Sequence, residues 1–181
     1  TLEVFRIGWY GGTGGRRMTA AVTLTGITQV IPQPDSTTGL VDCNWTNPYV
    51  LTIPDTPSDP SDPAYWASGA YFAKLTARTS GSQAYVFFVV RDDARSSDYI
   101  FQSSVTTDQA YNTWGGRYFY GTPVARKVSF NRPYSSFNGA GYFERWELNM
   151  IRFLEREGYD VSYCTDVDTH DNGNLLLAHR G

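Results

Sequence analysis

Oxygen-bearing side chains are concentrated in one stretch, residues 98–121, with the sequence DYIFQSSVTTDQAYNTWGGRYFYG. Its first residues are apolar and predict a strand. The Ser/Thr-rich residues 103–107 can then cap a short helix that ends before Gly115 and Gly116. In open α/β sheets the loop that leaves the carboxyl end of a strand is where ligands are usually held. We therefore expect the chemistry of this chain in this strand-to-helix loop.

Covalent catalysis has weak support in the sequence. Ser103 and Ser104 lie where a nucleophile elbow would be, but the G-x-S-x-G pattern is absent. Cys164 follows an aromatic residue inside a predicted strand rather than at a turn, so we predict a small core residue. His179 beside Arg180 is a further catalytic candidate, although a single histidine is more often structural.

A second polar group occurs in residues 165–174, TDVDTHDNGN. An extended chain would place Asp166, Asp168 and His170 on one side, which could bind a metal. The segment lacks the glycine position and the terminal glutamate of a calcium loop. We favour a polar turn at the end of a strand, with a metal site as the alternative.

Composition sets broad limits on function. The chain has 181 residues, of which 41% are hydrophobic and 18% charged, as in ordinary globular proteins. The net charge is -3 and the 15 basic residues are scattered, so no nucleic-acid partner is predicted. The sequence contains no apolar run long enough to predict a transmembrane segment. Cys43 and Cys164 are too few for a disulfide-rich fold, and a bridge between them is left open.

The elements that must position these groups fall into two predicted domains. Residues 1–92 read as short strands separated by turns, with a proline-rich exposed loop at 54–63. This pattern predicts an antiparallel, Ig-like β-sandwich whose N-terminal strands are missing. The predicted strands are residues 2–10, 20–30, 49–53, 69–78 and 84–91.

Residues 98–181 contain the most strongly periodic helix pattern, at residues 143–157. A strand at 159–167, a turn at 171–173 and a buried final segment at 175–177 are predicted to follow. The strand, helix, strand order predicts a parallel three-layer α/β domain, truncated at its third strand. The chain is therefore expected to be an internal piece of a larger protein or a processed product. The helix is predicted to bury Phe143, Trp146, Met150, Ile151 and Leu154.

Five motifs carry a family resemblance: VFRIGWYGGTGGRR at 4–17, FVVRDD at 88–93, FQSSVTTDQAYNTWGG at 101–116, ARKVSFNRPY at 125–134 and FLEREGYDVSYCTDVDTH at 153–170. Together they resemble proteins related to the large (beta) subunit of N,N-dimethylformamidase, over almost the whole chain. The resemblance implies a β-sandwich followed by an incomplete α/β domain similar to class I glutamine amidotransferases. It also implies a mononuclear iron site that hydrolyses a small amide, in relatives that are bacterial and often exported.

In that family, two tyrosines and a glutamate hold the iron. The resemblance places the first ligand position at Asp108, where relatives carry tyrosine, and the second at Tyr120. The glutamate lies in a His-x-Glu-Tyr pattern that would follow Gly181. Ferric iron accepts carboxylate as well as phenolate oxygen, so Asp108 is still a candidate. Tyr111, on the same helical face as Asp108, is the alternative ligand.

Other roles are predicted for the same stretch. Ser104, Asn112 and Trp114 are predicted to contact the substrate. The structural alternatives are packing of the short helix for Tyr111 and Trp114, and a solvated or helix-capping carboxylate for Asp108.

The resemblance implies that the chain is a fragment of an N,N-dimethylformamidase-like protein. The parent would be a metal-dependent hydrolase of small amide C–N bonds, and the fragment alone would be inactive because the third ligand is missing. The alternative is a non-catalytic exported surface or matrix protein that binds a glycan or a protein partner. The expected partner is the remainder of the parent polypeptide or another subunit. Whether the chain forms a homo-oligomer is left open.

Overall fold

Two sheets organise the fold, one antiparallel with four strands and one parallel with two strands. The computed structural model describes residues 1–55 and 57–181. The strands are β1 (Leu2–Ile7), β2 (Gly15–Arg17), β3 (Gly69–Thr76), β4 (Gln83–Val90), β5 (Tyr99–Ser103) and β6 (Val161–Thr165). The helices are α1 (Val105–Ala110), α2 (Phe143–Trp146), α3 (Leu148–Arg156) and α4 (Asp166–Asp171). Short 3-10 helices occur at Tyr10–Gly12, Trp114–Gly116, Phe137–Gly139 and Gly173–Ala178.

The antiparallel sheet has the strand order β2-β1-β3-β4. Its strands β1, β3 and β4 confirm the predictions at residues 2–10, 69–78 and 84–91. Side chains alternate along β1, so that Leu2 and Val4 are buried on one face together with Tyr71 of β3. Trp66 stacks on Tyr71 with the ring centroids 5.3 Å apart and closes this side of the sheet.

The predicted strands at 20–30 and 49–53 were wrong. In these residues, all of which the structure describes, the only pairing is an isolated bridge between Val22 and Leu2. Val30 is 91% exposed and Val50 is also exposed. A β-branched composition favours a strand only where a neighbouring edge and a buried face are available. Within the described part of residues 1–92 there is accordingly one four-stranded sheet, and the second layer of a sandwich is not seen.

The parallel sheet pairs β5 with β6, from Tyr99 opposite Val161 to Ser103 opposite Thr165. This confirms the predicted strand, helix, strand order. The strand predicted at 159–167 ends early, because Thr165 forms a capping box with Asp168 and starts α4.

The structure differs from the sequence predictions for two segments near the end of the chain, and it settles the question of a disulfide bond. Asp166, Asp168 and His170 lie on a helix, so the expectation that they line one side of an extended chain was wrong. The final segment at 175–177 is a 3-10 helix rather than a buried segment, and Leu177 is exposed. Cys43 and Cys164 are both buried and free, so no bridge joins them.

The helix predicted at 143–157 is present as α2 followed directly by α3, with Glu147 between them. Phe143 and Ile151 are buried as predicted. Trp146 and Met150 are 70% and 51% exposed, so their predicted burial was wrong. Apolar residues occupy more than one face of these helices, and contact with the sheet decides which face is buried.

One hydrophobic core joins the two sheets. Phe72 of β3 meets Phe143 edge to face at 5.3 Å, and Phe87 of β4 lies 4.8 Å from the same ring. Ile151 and Tyr163 belong to this core as well. The described residues thus form a small mixed α/β unit, and the domain boundary between residues 92 and 98 stays a prediction. No helix in the described part of the chain is long and apolar enough to cross a membrane.

Candidate functional site

Parallel strands place their carboxyl ends at the same edge of a sheet, which in open α/β folds is the usual ligand edge. Here Ser103 ends β5 and Thr165 ends β6, and the two residues are paired. Helices α1 and α4 leave from these ends. Three carboxylates gather on this side of the molecule, Asp108 from α1, Glu147 between α2 and α3, and Asp166 from α4. We call them the acidic cluster.

Glu147 is held against the end of β5. Its Oε2 accepts a hydrogen bond of 2.7 Å from Ser103 Oγ, and its Oε1 accepts one of 2.8 Å from the backbone N–H of Ser104. Burial raises the pKa of Glu147, and the charges of Asp108 and Asp166 act in the same direction. Ser104 occupies the N-cap position of α1 but makes no capping bond of its own.

Asp166 is bound to the first turn of α1. Both of its carboxylate oxygens accept from the backbone N–H of Thr106 at 3.2 Å, and the Thr106 hydroxyl also bonds to Oδ2. A carboxylate from α4 therefore satisfies one of the free backbone N–H donors at the start of α1. This contact links the two helices that leave the sheet.

Asp108 is half-buried rather than fully solvated. Its Oδ2 accepts a 3.0 Å hydrogen bond from the backbone N–H of Tyr142, the N-cap residue of α2. Gly141 has φ 68°, and a Cβ there would collide with Asp108 Oδ2, so glycine is needed for this close approach. Burial raises the pKa of Asp108, the nearby charge of Asp166 adds to this, and the Tyr142 bond opposes it.

Tyr134 lies beside the acidic cluster. Burial raises the pKa of its phenol, and the charge of Asp108 raises it further. Carboxyl groups with raised pKa values can hold and release protons nearer to neutral pH than free carboxyls do. Neither Glu147 nor Tyr134 was predicted as a site residue, because both lie outside residues 98–121, where the site was expected.

Two of the predicted ligands do come together. The rings of Tyr111 and Tyr120 stack with centroids 4.5 Å apart and an interplanar angle of 18°. The side chains are 46% and 64% exposed. A hydrogen bond with Tyr120 raises the pKa of Tyr111. We call these two residues the tyrosine pair.

The tyrosine pair offers two adjacent phenol oxygens, which suits a hard cation such as ferric iron. Within the residues that the structure describes, no hydrogen bond or ring contact joins Asp108 to either phenol. The same residues contain no group of three or more His, Cys, Asp or Glu side chains arranged to hold a metal ion. A catalytic metal with an open position needs about three protein ligands. The described residues therefore fit two ligands of such a site and not the full set.

The predicted substrate contacts have different surroundings. Ser104 is exposed, whereas Asn112 is buried. Asn112 Nδ2 donates to Gln109 Oε1 at 3.1 Å and to Pro133 O at 2.9 Å. Its Oδ1 accepts from the backbone N–H groups of Trp114 at 3.1 Å and Ser135 at 3.0 Å. Asn112 thus organises its own loop, and substrate contact by Ser104, Asn112 and Trp114 stays a prediction.

Arg132 is a buried residue that no sequence motif marks as a site residue. Its Nη1 donates to the carbonyls of Trp114 at 3.0 Å and Arg117 at 2.9 Å. Its Nη2 and Nε donate to Asn112 O and to Gln109. Burial lowers the pKa of Arg132. The guanidinium holds the segment between the two members of the tyrosine pair, and one arginine in a loop gives no sequence signal for this role.

The remaining predicted candidates have structural environments. His179 Nδ1 lies 2.9 Å from the Oγ of buried Ser97, which also donates to Tyr99 O. Burial alone would raise the pKa of Asp168, but hydrogen bonds with Thr165 and the charge of Arg91 lower it. Burial raises the pKa of the Cys164 thiol to about 11, which agrees with the predicted small core residue.

Comparison with protein families gives one match. A family model described as N,N-dimethylformamidase beta subunit-like, C-terminal, matches residues 1–181. No curated protein matches the chain. The resemblance carried by the five sequence motifs is therefore confirmed over the whole chain.

Proposed function

Because the chain belongs to the N,N-dimethylformamidase beta subunit-like family, we propose that it is part of a metal-dependent hydrolase of small amide C–N bonds. The observation that carries this proposal is the tyrosine pair, in which two exposed phenol rings stack with their centroids 4.5 Å apart. Adjacent hard oxygen ligands are what an iron site needs from this chain. In this proposal the third ligand comes from other polypeptide, either the remainder of the parent or another subunit.

The proposed division of roles follows from the contacts. Tyr111 and Tyr120 would hold the iron, and Asp108 is bonded to Tyr142 instead. When bound, such an ion polarises a carbonyl and lowers the pKa of water. The rings of Tyr111 and Tyr120 are already stacked with their centroids 4.5 Å apart, which would place both side chains for a shared ion. Arg132 holds the intervening loop through the carbonyls of Trp114 and Arg117.

The acidic cluster is proposed to serve proton transfer. Hydrolysis of an amide requires a proton for the departing amine and a base for the attacking water. Glu147 and Asp108 have raised pKa values because of burial, which suits a group that must be protonated for part of the cycle.

We also propose the finer fold assignment. Residues 98–181 would form the first part of a three-layer α/β domain resembling class I glutamine amidotransferases, and residues 1–92 would belong to a β-sandwich. In support, Gly181 lies on the edge of β5 opposite β6. Ile100 N donates to Gly181 O at 2.8 Å, and Gly181 N donates to Asp98 O at 3.1 Å. This is the bonding pattern of a parallel strand beside β5.

Metal analysis of the parent-length protein tests the function. Purified protein loaded with iron should hold one ion per chain, and Tyr120→Phe should reduce this content at least about tenfold, since one of about three ligands is lost. Tyr99→Phe is the matched control, because Tyr99 is also an exposed, ring-paired tyrosine but lies outside the tyrosine pair. Absence of bound metal in parent-length protein after loading would contradict the proposal.

The second candidate function is a non-catalytic exported surface or matrix protein. The observation that favours it is an outward stripe of Trp146, Met150 and Phe153 along α2 and α3. Exposed aromatic residues of this kind suit a glycan or a protein partner, including a second copy of the chain. If this function is correct, Trp146→Ala should abolish binding of the glycan or protein partner without changing the iron content. The hydrolase proposal expects the rate of amide hydrolysis to be independent of Trp146.

A further inference from the structure

The tyrosine pair has a geometry that is independent of any metal. Among the ring pairs of the described residues its centroids are the closest, at 4.5 Å, and the rings are within 18° of parallel. Both side chains are open to solvent. The backbone around them is fixed, because Phe119 N donates to Ala110 O at 3.2 Å and Arg132 holds the residues between.

We propose that Tyr111 and Tyr120 form an oxidative modification site, at which a one-electron oxidant joins the two rings into an intramolecular dityrosine. The oxidant is of the haem peroxidase class, with hydrogen peroxide as the terminal electron acceptor. This inference goes beyond the hydrolase proposal and requires no bound metal.

Coupling of the two phenols is a two-electron oxidation. Each phenol loses one electron and one proton, which gives two phenoxyl radicals with spin density on the ring carbons next to the hydroxyl-bearing carbon. One such Cε of each ring forms a new C–C bond. The hydrogen atoms on these two carbons then move to the phenol oxygens and restore both aromatic rings. The two electrons and two protons that were removed convert one hydrogen peroxide molecule into two water molecules.

The stacked arrangement favours coupling of Tyr111 to Tyr120 over coupling of either residue to another tyrosine. The two rings are stacked and nearly parallel with their centroids 4.5 Å apart, so the ring carbons of Tyr111 face those of Tyr120 at close range. Holding two reacting groups in place converts an encounter into a step within one molecule and raises its rate strongly. Solvent exposure gives the oxidant access to both phenols.

The chain supplies its own control. Tyr99 and Tyr159 are also neighbours, with centroids 5.4 Å apart, and they are 40% and 45% exposed. Their rings are nearly perpendicular, at 83°. The edge of one ring meets the face of the other, so Cε to Cε coupling requires a ring to reorient. Exposure is similar in the two pairs, and geometry is the main difference.

The test uses the full chain at low concentration with a haem peroxidase and a limiting amount of hydrogen peroxide. Dityrosine fluorescence should appear while the protein stays monomeric on a denaturing gel. Trypsin cleaves after Arg117, so the expected cross-link joins peptides 96–117 and 118–126. Coupling of Tyr99 to Tyr159 would instead join peptides 96–117 and 157–180. Fragment ions should assign the first link to Tyr111 and Tyr120, in at least about tenfold excess over the second.

Variants and denaturation separate the proposal from non-specific oxidation. Tyr111→Phe and Tyr120→Phe should each abolish the link, and Tyr99→Phe should leave it unchanged. Circular dichroism checks that each variant is folded. The proposal is overturned if no link forms, if links through other tyrosines dominate, or if the urea-unfolded chain gives the same yield of the Tyr111 to Tyr120 link.

Discussion

Arg6 of β1 and Glu155 of α3 form an ion pair between the antiparallel sheet and the helices, with Nη2 and Oε1 2.8 Å apart. Their side chains are only 10% and 18% exposed. Arg6 also donates to Ser68 O at 2.9 Å and to the Tyr10 hydroxyl at 2.9 Å. Tyr163 donates its hydroxyl to Glu155 at 3.1 Å. The pair therefore fastens β1 to α3 and β6 through one connected network.

Glu155→Ala is expected to destabilise the fold by about 3 to 5 kcal/mol, because Arg6 would remain buried without its partner. Urea unfolding followed by tryptophan fluorescence measures this change. The matched control is Glu157→Ala, which removes an exposed ion pair with Arg156 and should change the free energy of unfolding by less than about 1 kcal/mol. Equal effects of the two substitutions would contradict the assigned role of the buried pair.

The pKa of Glu147 predicts a dependence of stability on pH. Its folded-state pKa is raised above the ordinary glutamate value, mainly by burial. The folded state therefore binds the proton more tightly than the unfolded chain, and this contribution to stability is present at low pH and is lost as pH rises through the folded pKa. Glu147→Gln should flatten that loss in a series of urea unfolding curves measured at different pH values. An unchanged slope in Glu147→Gln would show that other groups dominate.

Gly141→Ala should be more harmful than Gly158→Ala. Both glycines have positive φ, at 68° and 77°, so both substitutions strain the backbone by about 1 to 3 kcal/mol. Only at Gly141 would the new Cβ also collide with Asp108, since Gly158 faces open space. The difference between their unfolding free energies isolates the collision. In an Asp108→Ala background this difference in unfolding free energy should disappear. A difference that remains would show that the new Cβ at position 141 collides with a group other than Asp108.

Phe143→Ala and Trp146→Ala test which face of α2 is buried. Phe143 contacts Phe72 and Phe87 in the shared core, and its loss should cost about 3 to 5 kcal/mol. Trp146 is largely exposed, so its loss should change the free energy of unfolding by less than about 0.5 kcal/mol. Thermal unfolding measures both. A large loss of unfolding free energy in Trp146→Ala would support the burial of Trp146 that was predicted from the sequence.

The parts of the fold that were predicted correctly depend on local patterns. The hairpin of β3 and β4 consists of two largely apolar runs joined by a short turn at Gly81, and both signals lie within neighbouring residues. The predicted strands around Val30 and Val50 failed, because nearby residues do not reveal whether a sheet edge is available. The same limit explains Trp146, whose exposure depends on where the sheet lies.

The site was predicted only in part for the same reason. Tyr111 and Tyr120 were both singled out, and they are close in sequence as well as in space. Glu147 reaches Ser103 across 44 residues of sequence, and no short motif contains both. Arg132 donates to the backbone carbonyls of Trp114 and Arg117. Every residue has a backbone carbonyl, so the sequence does not show which ones an arginine will contact.

The ion pair of Arg6 and Glu155 also constrains the order of folding. The two residues are separated by 149 positions, so β1 leaves the ribosome long before its partner on α3 has been made. Contacts of such long range slow folding, because a large loop must close before they form. Until then the arginine on β1 lacks its counter-charge and the phenylalanines of β3 and β4 lack their helix cover. We expect the nascent antiparallel sheet to be the stage most exposed to aggregation and to chaperone capture.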